Sequence, residues 1–395
     1  MSQVITSLRD SIDSVKSEVI EWRRYFHKYP ELSFKEEKTS QFVFERLQTV
    51  ENLEISRPTK TSVMARLIGR KPGKIIAMRA DMDALPIHEE NDLPFASRND
   101  GVMHACGHDG HTAMLLGAAK VLAQYKDSIN GEIRFIFQHA EELQPGGARE
   151  MVKAGVLEGV DQVIGIHLWS PMPVGKIGIC YGSATAASDM LDIVIQGKGG
   201  HSAKPQETVD PIAIGSQIVS NLQHIVSRNI DPLDSIVISL TKFNGGDAYN
   251  VIPDTVSLGG SIRTLNQNIR KKLPDLIEQV VKGIAEAHGA AYKANVTFGY
   301  GSVINDETVT KAVEETIVDV FGKETLIKMP PEMVSEDFSA YSNEKPASFI
   351  FVGAGNEEKG IVYPHHHPRF TIDEAALNHG VTLFVNAALK LLGEN

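Results

Sequence analysis

The chain is 395 residues long, 42% hydrophobic and 23% charged, with a formal net charge of −11. That length predicts two or three domains, because single cores stop growing below this size. The acidic balance and the lack of any Lys/Arg run argue against nucleic acid or anionic membranes as partners, and no run approaches about eighteen apolar residues, so no membrane span is expected.

In chain order, the N-terminal MSQVITSLRDSIDSVK lacks the basic-then-apolar layout of a signal peptide. With only two cysteines, Cys106 and Cys180, a disulfide scaffold is not expected, and the chain reads as a soluble cytoplasmic protein. Val4, Leu8, Ile12, Val15, Val19 and Ile20 recur at helical spacing over 4–26, and Pro30 forbids much further continuation. A second helix is expected over 36–48. Residues 74–79 (KIIAMR) read as a buried strand running into Asp81 and Asp83. After MHACGHDGH at 103–111, a helix is expected over 113–125. Strands at 132–138 and 162–166 are followed by Glu141-Glu142 and by His167. Such alternation predicts an α/β domain with a mostly parallel sheet and helices on both faces.

From about residue 183 the order changes. A strand at 190–196, a helix at 211–229, strands at 235–243 and 255–265, a helix at 268–287 and a strand at 291–298 give a β-α-β-β-α-β order, as in a small ferredoxin-like α+β domain. Then a helix at 306–321, a strand at 348–353 and a helix at 374–392 return to the first pattern. The expected organisation is an α/β domain over 1–182 and 298–395, interrupted by an inserted domain over 183–297.

The polar groups Asp81/Asp83, Glu141/Glu142 and His167 each sit just past a predicted strand, where open α/β sheets bind ligands. Thiolate and neutral imidazole bind zinc-like ions most strongly, and Cys106 and His108, two apart in an extended loop, leave the same side of the backbone. His365, His366 and His367 lie between Pro364 and Pro368. Alone they read as a solvated loop or a metal site, and the upstream clusters favour metal. Glu141 and Glu142 alone read as a solvated acidic pair. On extended backbone they point in opposite directions, so one can face a metal and the other a water. Thiol catalysis by Cys106 with His108 is the weaker chemistry, since a nucleophilic cysteine draws on a base placed elsewhere in the fold. No Gly-x-Ser-x-Gly elbow and no Walker-type loop support a serine hydrolase or a nucleotidase.

RADMDALP at 79–86, MHACGHDGH at 103–111, HAEE at 139–142, GIH at 165–167, GGHSAKP at 199–205, SEDF at 335–338 and HHPRF at 366–370 occur in one order. This set resembles the amidohydrolase branch of the dinuclear metallopeptidases, which includes hippurate hydrolases, auxin-conjugate hydrolases and N-acyl-amino-acid deacylases. The resemblance covers nearly the whole chain. It implies a dinuclear exopeptidase-like fold whose inserted domain serves as lid and dimerisation element, giving a homodimer or higher homo-oligomer. It also implies two divalent ions per subunit, manganese or zinc, with cobalt or nickel compatible with the donors. The implied ligands are Cys106, His108, Glu142, His167 and His366.

The implied reaction is hydrolysis of the amide bond of a small N-acyl amino acid by a metal-bound hydroxide, with Glu141 as general base. Asp81 and Asp83 are expected to accept a hydrogen bond from a ligating imidazole or to position the cluster, and Asp83 is counted with the catalytic group. A direct ligand role for Asp81 stays open. His104 and His111 are expected to support the loop, and Asp109 to buttress a histidine. His201 is implied to hydrogen-bond the developing oxyanion, often from the other subunit. Asn250 and Arg263 match substrate-binding positions, a guanidinium being suited to an α-carboxylate; a structural salt bridge is the other role open to Arg263. The alternatives are a dipeptidase or aminopeptidase and a catalytically silent metal- or ligand-binding relative, from which the retained Glu141 distinguishes an enzyme.

Overall fold

The computed structural model describes residues 2–393, with side chains from residue 8 onward, so the side chain of Val4 lies outside the described residues. The chain divides into two compact units. The first comprises Met1–Gly182, Ile304–Pro330 and Asp337–Asn395, and the second Ser183–Val303 and Pro331–Glu336.

The first unit is built on an eight-stranded sheet in the order Leu53–Ser56, Val63–Ile68, Asn130–Gln138, Lys71–Asp81, Gln162–Pro173, Ala347–Gly355, Ile177–Ile179, Leu326–Lys328. Its four central strands are parallel to one another. Asn130–Gln138 is buried at every position after the first, the mark of a strand covered on both faces. The 53–68 hairpin and Ile177–Ile179 attach antiparallel, so the sheet is mixed.

Ser2–Lys28, His108–Ala123 and Ala375–Leu392 pack on one another. His108–Ala123 is buried at every position except Lys120, so this helix is a core element with no solvent stripe. It starts five residues before the expected 113, because Gly107 takes φ 95° at its N-cap, a left-handed conformation that glycine adopts without strain. Ala375–Leu392 has a mean hydropathy of 1.2, enough by length and composition to cross a membrane. Counting uninterrupted apolar residues overlooks it, because Asn378, His379, Asn386 and Lys390 break the run. Here its apolar face is core, and a Cβ at Gly380 would collide with the Met114 sulfur.

The second unit is a four-stranded antiparallel sheet ordered Ile236–Asn244, Thr255–Thr264, Ala187–Gln196, Ala291–Tyr300, with helices Pro211–His224 and Gln267–Ala287. Burial alternates along Ala187–Gln196 from Leu191 onward, so one face is packed. Asp210 and Asn266 cap the two helices, each accepting from two backbone N–H groups of the first turn. Its core, including Leu191, Ile193, Ile214, Ile218, Leu258 and Ile277, is separate from that of the first unit.

Candidate metal centre

The parallel strands deliver most of the candidate residues to one level. Asp81 ends its strand opposite Gln138, three residues before Glu141. His167 is inside Gln162–Pro173, which runs seven residues past the expected end at 166, yet lies two beyond Gly165, the last residue paired with the Asp81 strand. His108 comes from the first turn of its helix rather than from a loop. His366 comes from the loop after Ala347–Gly355, at φ 64°.

These elements converge. The donor atoms of Cys106, His108 and His167 lie within 4.8 Å of one another, as do those of Cys106, Glu142 and His366, and those of His108, Glu141 and Glu142. Cys106 Sγ is 3.6 Å from His167 Nε2. Glu142 Oε1 is 3.3 Å from His366 Nε2 and 3.9 Å from His108 Nε2. Among the described residues buried His108 Nε2 has no hydrogen-bond partner, its nearest carboxylate oxygen being Asp81 Oδ2 at 3.7 Å, and buried Glu142 Oε1 has only the ion-pair contact with His366. An unmet buried polar atom costs about 1–3 kcal/mol, and a cation between these two would satisfy both.

The imidazoles are oriented for this. His108 Nδ1 donates to the Asp83 carbonyl (2.9 Å) and to Asp83 Oδ1 (3.2 Å), and His167 Nδ1 donates to the Leu168 carbonyl (2.8 Å). Acceptors on Nδ1 fix the proton there and leave Nε2 to face the cluster. Asp83 also ties the acidic loop down, its Oδ2 accepting from Glu142 N (3.0 Å) and Ser33 Oγ (2.6 Å).

Asp81 borders the cluster, its Oδ2 3.7 Å from His108 Nε2 and its donor atom within 4.8 Å of those of His108 and His111, and it is held by a second set of contacts. It accepts from Arg79 Nη1 and from His111 Nδ1, both at 2.6 Å, and His111 Nε2 accepts from Leu168 N at 2.8 Å. With both ring nitrogens engaged, His111 is a strut between two strands. The histidine triplet also separates by role. His365 stacks on Trp169 with centroids 4.8 Å apart and accepts from Ser170 N (3.2 Å). His367 accepts from Arg369 N (3.0 Å) and stacks on Tyr363. His366 alone of the three approaches Glu142.

Charge explains what the cluster wants. Burial would lower the His108 pKa, but Asp81, Asp83 and Glu142 raise it to about 10. Burial and the carboxylates of Glu142, Glu141 and Asp81 push the Cys106 thiol well above its ordinary value. In the metal-free protein these groups hold their protons, and binding of a divalent cation displaces them. A thiol held in that state is a poor nucleophile, which removes the support for thiol catalysis. Burial drives His167 well below its usual value, reinforced by His111 and His365.

Sequence reasoning missed the scaffold beneath. Arg79 donates to Gln138 Oε1 (2.8 Å) and Asp337 Oδ1 (2.8 Å) as well as to Asp81, and Asp337 N donates to Glu141 Oε1 (3.2 Å). An arginine inside the apolar run KIIAMRA was the available signal. Among the described residues His104 is buried with no hydrogen-bond partner on either ring nitrogen, burial pushing it down to about 3, so it supports the loop by packing. Asp109 does buttress a histidine, accepting from His27 Nδ1 (2.8 Å) and pairing with Arg23 Nε (2.8 Å), both on the first helix and outside the cluster.

The remaining candidates belong to the second unit. His201 and Asn250 are neighbours, with Val251 opposite His201 and Ser202 N donating to the Asn250 carbonyl (3.1 Å). Arg263 is eight residues along Thr255–Thr264 from Thr255, about 26 Å at 3.3 Å per residue. It is half-buried, its Nη1 has no hydrogen-bond partner among the described residues, and the nearby Asp189 is taken by Arg270 in a two-pronged pair (2.9 and 2.6 Å). The second unit therefore does not gather its three candidates at one place.

The sequence profile of peptidase family M20/M25/M40 matches residues 77–390. An N-acyl-L-amino acid amidohydrolase of Geobacillus stearothermophilus is 62% identical over 294 residues, 74% of this chain and 80% of that protein. Thermostable carboxypeptidase 1 of Saccharolobus solfataricus is 40% identical over 391 residues, 98% of each. A crystal structure of the Bacillus subtilis YXEP protein, described as a dinuclear metal binding peptidase from the M20 family, superposes with a TM-score of 0.86 at 37% identity, covering 97% of this chain and 100% of that one. The chain therefore belongs to peptidase family M20/M25/M40.

Proposed function

We propose that this protein is a metal-dependent amidohydrolase that cleaves the amide bond of N-acyl amino acids, releasing an amino acid and a carboxylic acid. The observation that carries the reading is the convergence of the donor atoms of Cys106, His108, Glu142, His167 and His366, with buried His108 Nε2 lacking a hydrogen-bond partner among the described residues. That donor set of one thiol, three imidazoles and a carboxylate fits two divalent ions, manganese or zinc, with Cys106 able to serve both. The names of the related amidohydrolase and of the dinuclear Bacillus subtilis protein support the same reading.

When bound, the ions supply Lewis acidity and lower the pKa of water. The chain's own residues do the rest. Glu141, buried beside Glu142 and steadied by Asp337 N, takes the proton of the attacking water and returns it to the leaving nitrogen. Asp83 fixes the His108 tautomer and the Glu142 backbone together, so ligand and base keep their relative position.

Arg263 grips the substrate α-carboxylate, a reading supported by its Nη1 having no hydrogen-bond partner among the described residues and by Asp189 being committed to Arg270. His201 and Asn250 act on the oxyanion and substrate from a partner copy in a homodimer. Their separation from Arg263 within one chain supports two different sites being served. The related carboxypeptidase favours one second reading, hydrolysis of a peptide bond next to a free C-terminal carboxylate.

The test is metal quantification on the purified protein, with assays of amino-acid release from acetyl, benzoyl and indole-acetyl amino acids and from dipeptides, with and without chelator. About two ions per chain and chelator-sensitive release from N-acyl substrates are expected. Turnover that survives chelation would sink the mechanism, and turnover of dipeptides alone would favour the second reading.

A further inference from the structure

We propose that Glu36, outside the metal cluster and more than a hundred residues upstream of the acidic loop, is a positioning residue whose carboxylate locks the turn that presents Glu141 and Glu142. The inference rests on those two glutamates serving the hydrolysis proposed above.

Glu36 is fully buried. Its Oε1 accepts from two backbone amides, Phe34 N at 2.9 Å and Ala140 N at 2.8 Å, while Oε2 accepts from Thr61 Oγ1 at 3.1 Å. Both amides belong to residues in the left-handed region, Phe34 at φ 65° and Ala140 at φ 50°. Neither is glycine, so each conformation persists only because its surroundings impose it. One carboxylate oxygen imposes both.

Glu36 also stands at the N-cap of Glu37–Gln48 and makes no side-chain cap bond to that helix. Its side chain is spent instead on the loop after Asn130–Gln138. That loop is held on its other sides by Gly147 N donating to the Ala140 carbonyl (2.8 Å) and by Glu142 N donating to Asp83 (3.0 Å). Ala140 is thus the hinge point next to Glu141, and Glu36 is its clasp. Burial and the neighbouring Asp83 raise the Glu36 carboxyl to about 7, so the group sits where fold stability alone disfavours it.

Two substitutions separate a clasp from a mere core residue. Glu36→Gln keeps a carbonyl oxygen for both amides and turns an NH2 toward Thr61 Oγ1. Glu36→Asp is one methylene shorter and cannot span to Ala140. Zn2+ titration of the metal-free full-length protein and kcat with KM on an N-acetyl amino acid are the readouts. Glu36→Asp is expected to weaken the lower-affinity Zn2+ by about 10–100-fold, the range found when groups orienting a ligand are altered, and to lower kcat similarly with KM within about twofold. Glu36→Gln is expected to stay within about threefold on both.

A second change, Ala140→Gly in the Glu36→Asp background, relieves the left-handed strain and is expected to restore most of the loss. A folded Glu36→Asp protein that binds Zn2+ and turns over like wild type would overturn the inference, as would failure of Ala140→Gly to rescue. If Glu36→Asp does not fold, a loss beyond about threefold in Zn2+ binding or kcat in folded Glu36→Gln overturns the inference, and values within about threefold support it. A wild-type protein that binds no Zn2+ pair would defeat the parent reading instead, before any variant is compared.

Discussion

At the residue scale, the base role proposed for Glu141 and the ligand role proposed for Glu142 rest on different contacts, although their donor atoms and that of His108 lie within 4.8 Å of one another. Glu142 is fixed through its backbone to Asp83 and turns Oε1 toward His108 and His366. Glu141 is buried and accepts from Asp337 N. A general base contributes about 10²–10⁴-fold, so Glu141→Gln is expected to lower kcat by at least about a hundredfold. Metal content should stay near two per chain, because Gln keeps the shape and the acceptor for Asp337 N. Elemental analysis beside steady-state kinetics checks both at once. An unchanged rate would remove Glu141 from the base role, and a lost ion would make it a ligand.

At the scale of elements, the first helix is tied to the cluster-bearing helix by buried charge. His27 on Ser2–Lys28 sits between Asp109 of His108–Ala123 (2.8 Å) and Glu89 (3.0 Å), with Arg23 against the same Asp109 oxygen. Burial and Arg23 would lower the His27 pKa, but the two carboxylates leave it raised. The same contacts hold Asp109 and Glu89 below their ordinary values against burial. A raised histidine contributes its full stability below its unfolded pKa, about 6.5, and loses it as pH rises through the folded value. The carboxylates contribute above their unfolded pKa, about 4, and lose it on acidification. Removing one member of a buried pair costs about 3–5 kcal/mol. The stability gap between wild type and His27→Gln, from urea unfolding, should therefore be widest near pH 6 and narrow toward pH 10. A gap that does not change with pH would show His27 to be neutral in the fold.

Elements are also where the sequence was most readable. The strands after which Asp81 and Glu141 follow were visible because a strand covered on both faces must be apolar at nearly every position, which leaves an unbroken run of strand length. The helix start at His108 was hidden, since a His-Asp-Gly-His opening has no helical pattern and its stability comes from burial and from Gly107 at the N-cap. The 53–68 hairpin was missed because its first strand has four residues, only half-buried or exposed, too short to show a period. The site was legible as residue types in sequence order. The Asp81–His111–Leu168 strut and the Glu36–Ala140 clasp were not, because both join segments that only the folded chain brings together.

At the scale of the whole molecule, the candidate ligands and base fall in the first unit, and His201, Asn250 and Arg263 in the second. Each unit has its own apolar core, and two cores need not melt in one step. A ligand that binds only the native state stabilises by RT ln(1 + [L]/Kd), about 2.7 kcal/mol at a hundredfold excess over Kd. For a unit of more than two hundred residues this corresponds to roughly 5–10 °C. Scanning calorimetry of the chelated and the zinc- or manganese-loaded protein is expected to show one transition rising by about that amount. The other should stay within about 1 °C, because no candidate ligand lies in the unit that produces it. Glu142→Ala should reduce the rise by removing a donor, while Arg263→Ala should leave it intact and act on KM alone. Equal movement of both transitions would mean that the units unfold together. No movement at all, with metal demonstrably in excess, would mean that the cluster around Cys106 and His108 holds no ion.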